Sequence, residues 1–115
     1  MTDSFGTIAT WHKRYKIGDD DHGIDETKYR SFEEMAEAEF RENDVWRPIY
    51  MYDHSCLTFS TISFPCPWDS WQLGFIFARE NEIKKRFGKI NKTTLLKAEA
   101  LLIERVEALN ESNEY

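Results

Sequence analysis

His12, His22, His54, Asp53, Cys56, Cys66 and Asp69 carry the donor atoms that zinc and iron take up. None falls in an HExxH, CxxC or HxH spacing, so a centre would have to be assembled across the fold, and we expect neither a metal site nor a cofactor. The same residues admit nucleophilic chemistry: a Cys66 thiolate would attack if His54 took its proton and Asp53 or Asp69 held the imidazole. Pro65 and Pro67 stiffen the thiol's setting without setting its acidity, and Ser55 beside His54 is a weaker nucleophile. The loop Gly18–Gly23 contains Asp19, Asp20 and Asp21 but lacks the Asp-x-Asp-x-Asp-Gly ligand spacing of a calcium loop. Trp68 and Trp71 flank Asp69-Ser70, a pair of indoles that can anchor a protein partner, stack on a base, or simply fill a core.

What must position these groups is one small fold. The chain has 115 residues, 41% hydrophobic and 31% charged, with four Trp, five Tyr and eight Phe. That aromatic content builds a core in a short chain and excludes general disorder. No internal repeat and no Gly/Ser-rich or Pro-rich linker divides it, so residues 1–115 read as a single α+β domain. Two cysteines are too few for a disulfide framework, and reduced thiols are expected. Met1–Phe5 lacks a basic segment followed by an apolar run, and no stretch approaches membrane-spanning length, so a cytoplasmic protein without a membrane partner is expected.

Gly6–Trp11 mixes β-branched and aromatic residues as a first strand. Ser31 followed by Glu34 forms a capping box, and Phe32, Met35, Ala36 and Phe40 then fall on one side of a helix whose Glu33, Glu34, Glu37 and Arg41 point elsewhere. Val45–Met51 is strand-like, but Pro48 lacks an amide donor and argues for an edge or a bulge against central placement. Asp53-His54-Ser55 reads as a surface turn before a hairpin strand over Leu57–Phe64. Pro65–Ser70 is a rigid connection, and Leu73–Phe77 resumes an apolar strand. A short helix over Asn81–Phe87 ends at Gly88, and a longer one capped by Asn91 or Thr93 carries the stripe Leu95, Ala98, Leu102, Val106 and Leu109. The expected product is an antiparallel or mixed sheet of about four strands covered by about three helices.

Charge is unevenly distributed along this frame. The whole chain carries −6, which disfavours direct contact with nucleic acid or an anionic membrane. Between Asp19 and Asp44 lie eleven acidic residues against Lys28, Arg30 and Arg41, a local −8 that favours encounter with a basic partner if it is not merely a solvated face. Arg79–Lys97 holds seven basic residues against Glu80 and Glu82, a local +5 that reads as an ordinary helix exterior or as a contact to phosphate.

Tyr50-Met51-Tyr52-Asp53-His54-Ser55, followed by Pro65-Cys66-Pro67-Trp68-Asp69-Ser70 and Gln72-Leu73-Gly74-Phe75-Ile76, resembles the YxYDHS and CPWDS motifs of a poorly characterised family encoded by phages, plasmids and integrative elements. The resemblance covers mainly residues 45–88. Family members usually have glycine where this chain has Cys56 and Trp71, and they continue past the last helix. The resemblance implies a mobile-element origin in a bacterial host, where small acidic proteins often inhibit host defence as anti-CRISPR or antirestriction proteins. With the acidic segment, it implies a binding protein that mimics nucleic acid and occludes a basic surface on a defence nuclease or surveillance complex. Asp19, Asp20, Asp21, Asp25, Glu26, Glu33, Glu34 and Glu37 would make the electrostatic contact, with Trp68 or Trp71 as anchor. The role of Tyr52, Asp53, His54, Ser55, Cys66, Trp68 and Asp69 is left open. The competing readings are a small hydrolase-like enzyme using His54, Cys66 and Asp69, and a structural accessory of the phage particle.

Overall fold

Four strands form one antiparallel sheet in the order β1-β4-β2-β3: β1 (Thr7–Thr10), β2 (Val45–His54), β3 (Cys56–Ser60) and β4 (Ser70–Ala78). Helices α1 (Phe32–Glu39), α2 (Glu80–Phe87) and α3 (Lys92–Ser112) and a 3-10 turn over Glu26–Lys28 complete a single α+β domain. The computed structural model describes residues 5–11, 18–19, 22–54, 56–64 and 70–112.

The sheet is buried on both faces. On one, Ile8, Ile49, Met51, Phe59, Leu73 and Ile76 pack beneath Ile83 of α2 and Ala98, Leu102 and Val106 of α3. On the other, Ala9, Phe75 and Phe77 meet Met35 and Ala36 of α1, with Trp11, Tyr29, Phe32 and Phe40 around them. This division requires a change of phase in β4. Ile49 pairs with Gly74 and Tyr50 with Gln72, so Leu73 is the extra residue of a bulge, and both Leu73 and Ile76 reach the α3 side. Gly74 is obligatory beside it: a Cβ there would lie 2.0 Å from the carbonyl oxygen of Ala9 in β1.

On both outer strands side chains take up backbone groups at the free edge, which reduces the liability of an open sheet edge. Along β1, Gly6 N–H donates to Glu82 Oε2 at 2.9 Å and Ile8 N–H to Asp19 Oδ2 at 2.8 Å, while Arg105 donates to the Gly6 carbonyl. Along β3, the Asn110 amide imitates a strand: Phe59 N–H donates to its Oδ1 at 2.7 Å, and its Nδ2 donates to the Phe59 carbonyl at 2.9 Å. Arg105 and Asn110 both belong to α3, so one helix covers a face and ties down both edges.

The local signals explain the helices. Ser31 accepts from Glu34 N–H at 3.2 Å and caps α1, and Gly88 ends α2 at φ +84°, a left-handed value open to glycine. Asn91, not Thr93, caps α3: its Oδ1 accepts from Thr94 N–H and its own N–H donates to Thr94 Oγ1, both at 2.9 Å.

Pro48 has the edge setting its missing donor requires: β2 is central in sheet order, but only Tyr50–His54 pairs with β3, so the half containing Pro48 pairs with β4 alone, and the register shifts just beyond it at Ile49/Tyr50. Two expectations are corrected. Asp53 and His54 continue β2 and pair with Leu57 and Cys56, so the hairpin is tighter than the residue types suggested and its second strand stops at Ser60. Ser70 and Trp71 already belong to β4. The turn over Glu26–Lys28 had no periodicity to reveal it; its signal is Asp25, whose Oδ1 accepts from Thr27 N–H at 3.0 Å and from its hydroxyl at 2.6 Å.

Candidate functional site

Helix α1 presents its carboxylates outward because its other side is committed to the sheet. Met35 and Ala36 are buried, whereas Glu33, Glu34 and Glu37 are exposed and fall within about 100° of helical arc. Asp25 and Glu26, also exposed, belong to the 3-10 turn that leads into the helix. Two hydrogen bonds from Thr27, hydroxyl and backbone, hold the Asp25 carboxyl below the usual carboxylate range. Glu33 and Glu34 in the first turn favour the helix dipole, but Glu37 stands in its second half, one turn from Glu33, where like charge opposes the helix.

Other acidic residues of the same segment serve the fold. Asp19 receives Ile8 N–H and lies 3.3 Å from Arg105 Nη2, so it clamps β1 and stands apart from the α1 carboxylates. Asp44 is almost fully buried; its Oδ1 accepts from Glu80 N–H at 2.9 Å and its Oδ2 lies 3.3 Å from Arg79 Nη1. Arg79 also pairs with Glu39 at 3.3 Å, donates to the Glu39 carbonyl, and rests its guanidinium over Phe77 at 4.7 Å and Phe40 at 5.2 Å. Tyr29 donates its hydroxyl to Glu39, and this bond to a carboxylate raises its pKa above the ordinary tyrosine value. Arg79 therefore locks the end of α1 to the start of α2. Sequence reading missed it because a guanidinium within a basic run carries no mark of its partners.

The described parts of the two motif segments, Tyr50–His54 of the first and Ser70 of the second, are neighbours in the sheet. Tyr52 is flanked by Thr58 in β3 and Ser70 in β4, and Met51 pairs with Trp71. Tyr52 and Asp53 are half-buried, with the Tyr52 ring 5.3 Å from that of Phe64. Trp71 is 40% exposed, which leaves part of one indole of the expected pair at the surface. His54 is placed by its backbone in β2. Asp20, Asp21, Ser55, Cys66, Trp68 and Asp69 lie outside the described residues.

Two shallow grooves mark the surface. One of about 570 Å³ runs between the start of β2 and the start of α3, lined by Asn43, Trp46, Lys92, Leu95, Leu96 and Glu99. The other, about 620 Å³, is polar and lies around Arg41, Arg79 and Glu80. Among the described residues no group of three or more His, Cys, Asp or Glu is placed to hold a metal ion, and no helix is long and apolar enough to cross a membrane. The two charge blocks of the sequence meet where Arg79 engages Glu39 and Asp44, but the exposed lysines at the end of α2 and the start of α3 belong to the opposite side of the sheet from Glu33, Glu34 and Glu37. Comparison with known proteins finds no matching family model, no matching curated protein and no matching solved structure.

Proposed function

We propose that this chain is a small acidic protein of phage or mobile-element origin that binds and inhibits a host defence complex, of anti-CRISPR or antirestriction type, by occluding a basic nucleic-acid-binding surface. One observation carries the reading: Glu33, Glu34 and Glu37 share the exposed side of α1 with no ion pair to any described residue. A helix of eight residues that keeps Glu37 one turn from Glu33 gives up a few tenths of a kcal/mol of helix stability, which a cationic partner would offset. Asp25 and Glu26 extend the negative surface toward the preceding turn. The motif resemblance supports the mobile-element origin, and the partner is the basic surface of a defence nuclease or surveillance complex in the bacterial cytoplasm.

The test is phage plating on bacteria carrying one defined defence system at a time, CRISPR–Cas or restriction, with and without the expressed chain. The intact protein is expected to restore plaques in at least one defended strain, and the combined Glu33→Lys, Glu34→Lys and Glu37→Lys variant to lose that effect while remaining folded. Full activity in the reversal variant would remove α1 from the interface; no restoration in any defended strain would overturn the inhibitor reading.

A further inference from the structure

Between Glu82 and Glu99 the chain holds Lys84, Lys85, Arg86, Lys89, Lys92 and Lys97 and not one acidic residue. All six are exposed, on the last turns of α2, the connection after it and the first turns of α3. Among the described residues, no ion pair or hydrogen bond engages the ammonium groups of Lys84, Lys85, Lys89, Lys92 or Lys97. Arg86 lies with its guanidinium 6.0 Å from the Phe5 ring.

Helix stability accounts for only part of this cluster. Lys84, Lys85 and Arg86 occupy the last turn of α2, where the dipole favours cations. Lys92 occupies the first turn of α3, where the dipole disfavours one, and no acidic residue stands there to offset it.

The net charge of −6 argues against a polyanionic partner only if that partner meets the average. It does not. The exposed carboxylates of α1 lie on the other side of the sheet, and solvent-exposed charges separated by more than a screening length of roughly 8 Å act largely independently at physiological salt. A polyanion at the junction of α2 and α3 meets six cationic side chains, with Glu80, Glu82 and Glu99 at the margins.

The form of the surface selects among polyanions. A protein interface draws its affinity from a desolvated apolar centre with aromatic anchors. Around Lys84, Lys85 and Lys89, Ile83 is buried and Phe87 and Ile90 pack against the core, so the apolar groups there face inward; the exposed Leu96 and Trp46 belong to the groove beside Lys92. Lysine point charges on projecting helix ends suit the phosphodiester backbone, where affinity comes from released counterions and is indifferent to sequence. We propose that the α2–α3 junction is a sequence-independent binding surface for the phosphate backbone of nucleic acid, centred on Lys84, Lys85, Lys89 and Lys92. This surface does not depend on whether α1 has a protein partner.

Fluorescence anisotropy with labelled single-stranded and double-stranded DNA, using the full chain, tests it. Binding is expected at about 50 mM salt, weakening roughly 40-fold by about 200 mM if three phosphates are neutralised. The combined Lys84→Gln, Lys85→Gln, Lys89→Gln and Lys92→Gln variant should bind about tenfold or more weaker with a flatter salt dependence, and Lys89→Gln alone should lower the slope by about one. Glu33→Gln with Glu37→Gln should leave that slope unchanged. Absence of binding at the lower salt, or unchanged binding by the quadruple variant with its thermal melt intact, would overturn the proposal. So would displacement of the DNA by polyglutamate at equal charge concentration, which would assign the surface to acidic protein instead.

Discussion

Helices α3 and α1 cover opposite faces of the same sheet by different means. Helix α3 has 21 residues, packs aliphatic side chains against Ile49, Met51 and Leu73, and reaches past both sheet edges with Arg105 and Asn110. Helix α1 has eight residues, sits on the rings of Phe75 and Phe77, and is fastened at its end by Arg79 and Tyr29. The long helix is integral to the sheet it covers. The short one is an attachment whose inner side is aromatic and whose outer side is anionic, so its surface can vary while the sheet stays intact.

The largest effect should come from the sheet that both helices share. Gly74→Ala places a methyl 2.0 Å from the Ala9 carbonyl, backbone that cannot rotate aside, so β1 must separate from β4. We expect a loss of about 3 kcal/mol or more in urea denaturation, or failure to fold; wild-type stability would mean that β1 contributes little. Next is Arg79→Met, which keeps the stem over Phe77 but strands the buried Asp44 carboxylate, at a cost of about 2 kcal/mol. Amide exchange should rise in Phe32–Glu39 before Lys92–Ser112; a uniform rise would erase the contrast between the helices.

Asn110→Ala should cost about 1 kcal/mol and expose the Phe59 backbone at the sheet edge, so that self-association appears in sedimentation as concentration rises. A smaller effect belongs to Tyr29. Its folded pKa is raised, so the stability it contributes is complete below the unfolded value of about 10 and is lost as pH rises through the folded value. Tyr29→Phe should lower stability across the neutral region by the loss of the hydrogen bond to Glu39, and flatten the alkaline limb so that variant and parent converge at high pH. Smallest is Glu37→Gln, which relieves like-charge repulsion in α1 and should raise stability by a few tenths of a kcal/mol while weakening capture of a basic partner.

Element order was legible because each element carries its own punctuation. Ser31 with Glu34, Gly88 and Asn91 act within a few residues of themselves, and the stripe from Leu95 to Leu109 recurs at helical spacing. Strand ends were less legible. Asp53 and His54 have turn-forming types yet continue β2, because the pairing partner that decides a strand's length lies elsewhere in the chain.

By itself, the sequence determined the α+β class, the order of its elements and the existence of two charge blocks, since composition, period and capping are local properties. The tertiary structure alone decided which charges are free. Asp19, Glu39 and Asp44 look equivalent to Glu33, Glu34 and Glu37 in the chain, yet the first three are engaged by Arg105 and Arg79 from distant elements and the others face solvent. It also set the anionic helix and the lysine-rich junction on opposite faces of one sheet, because burial of two separate apolar stripes assigns α1 to one side and α2 with α3 to the other.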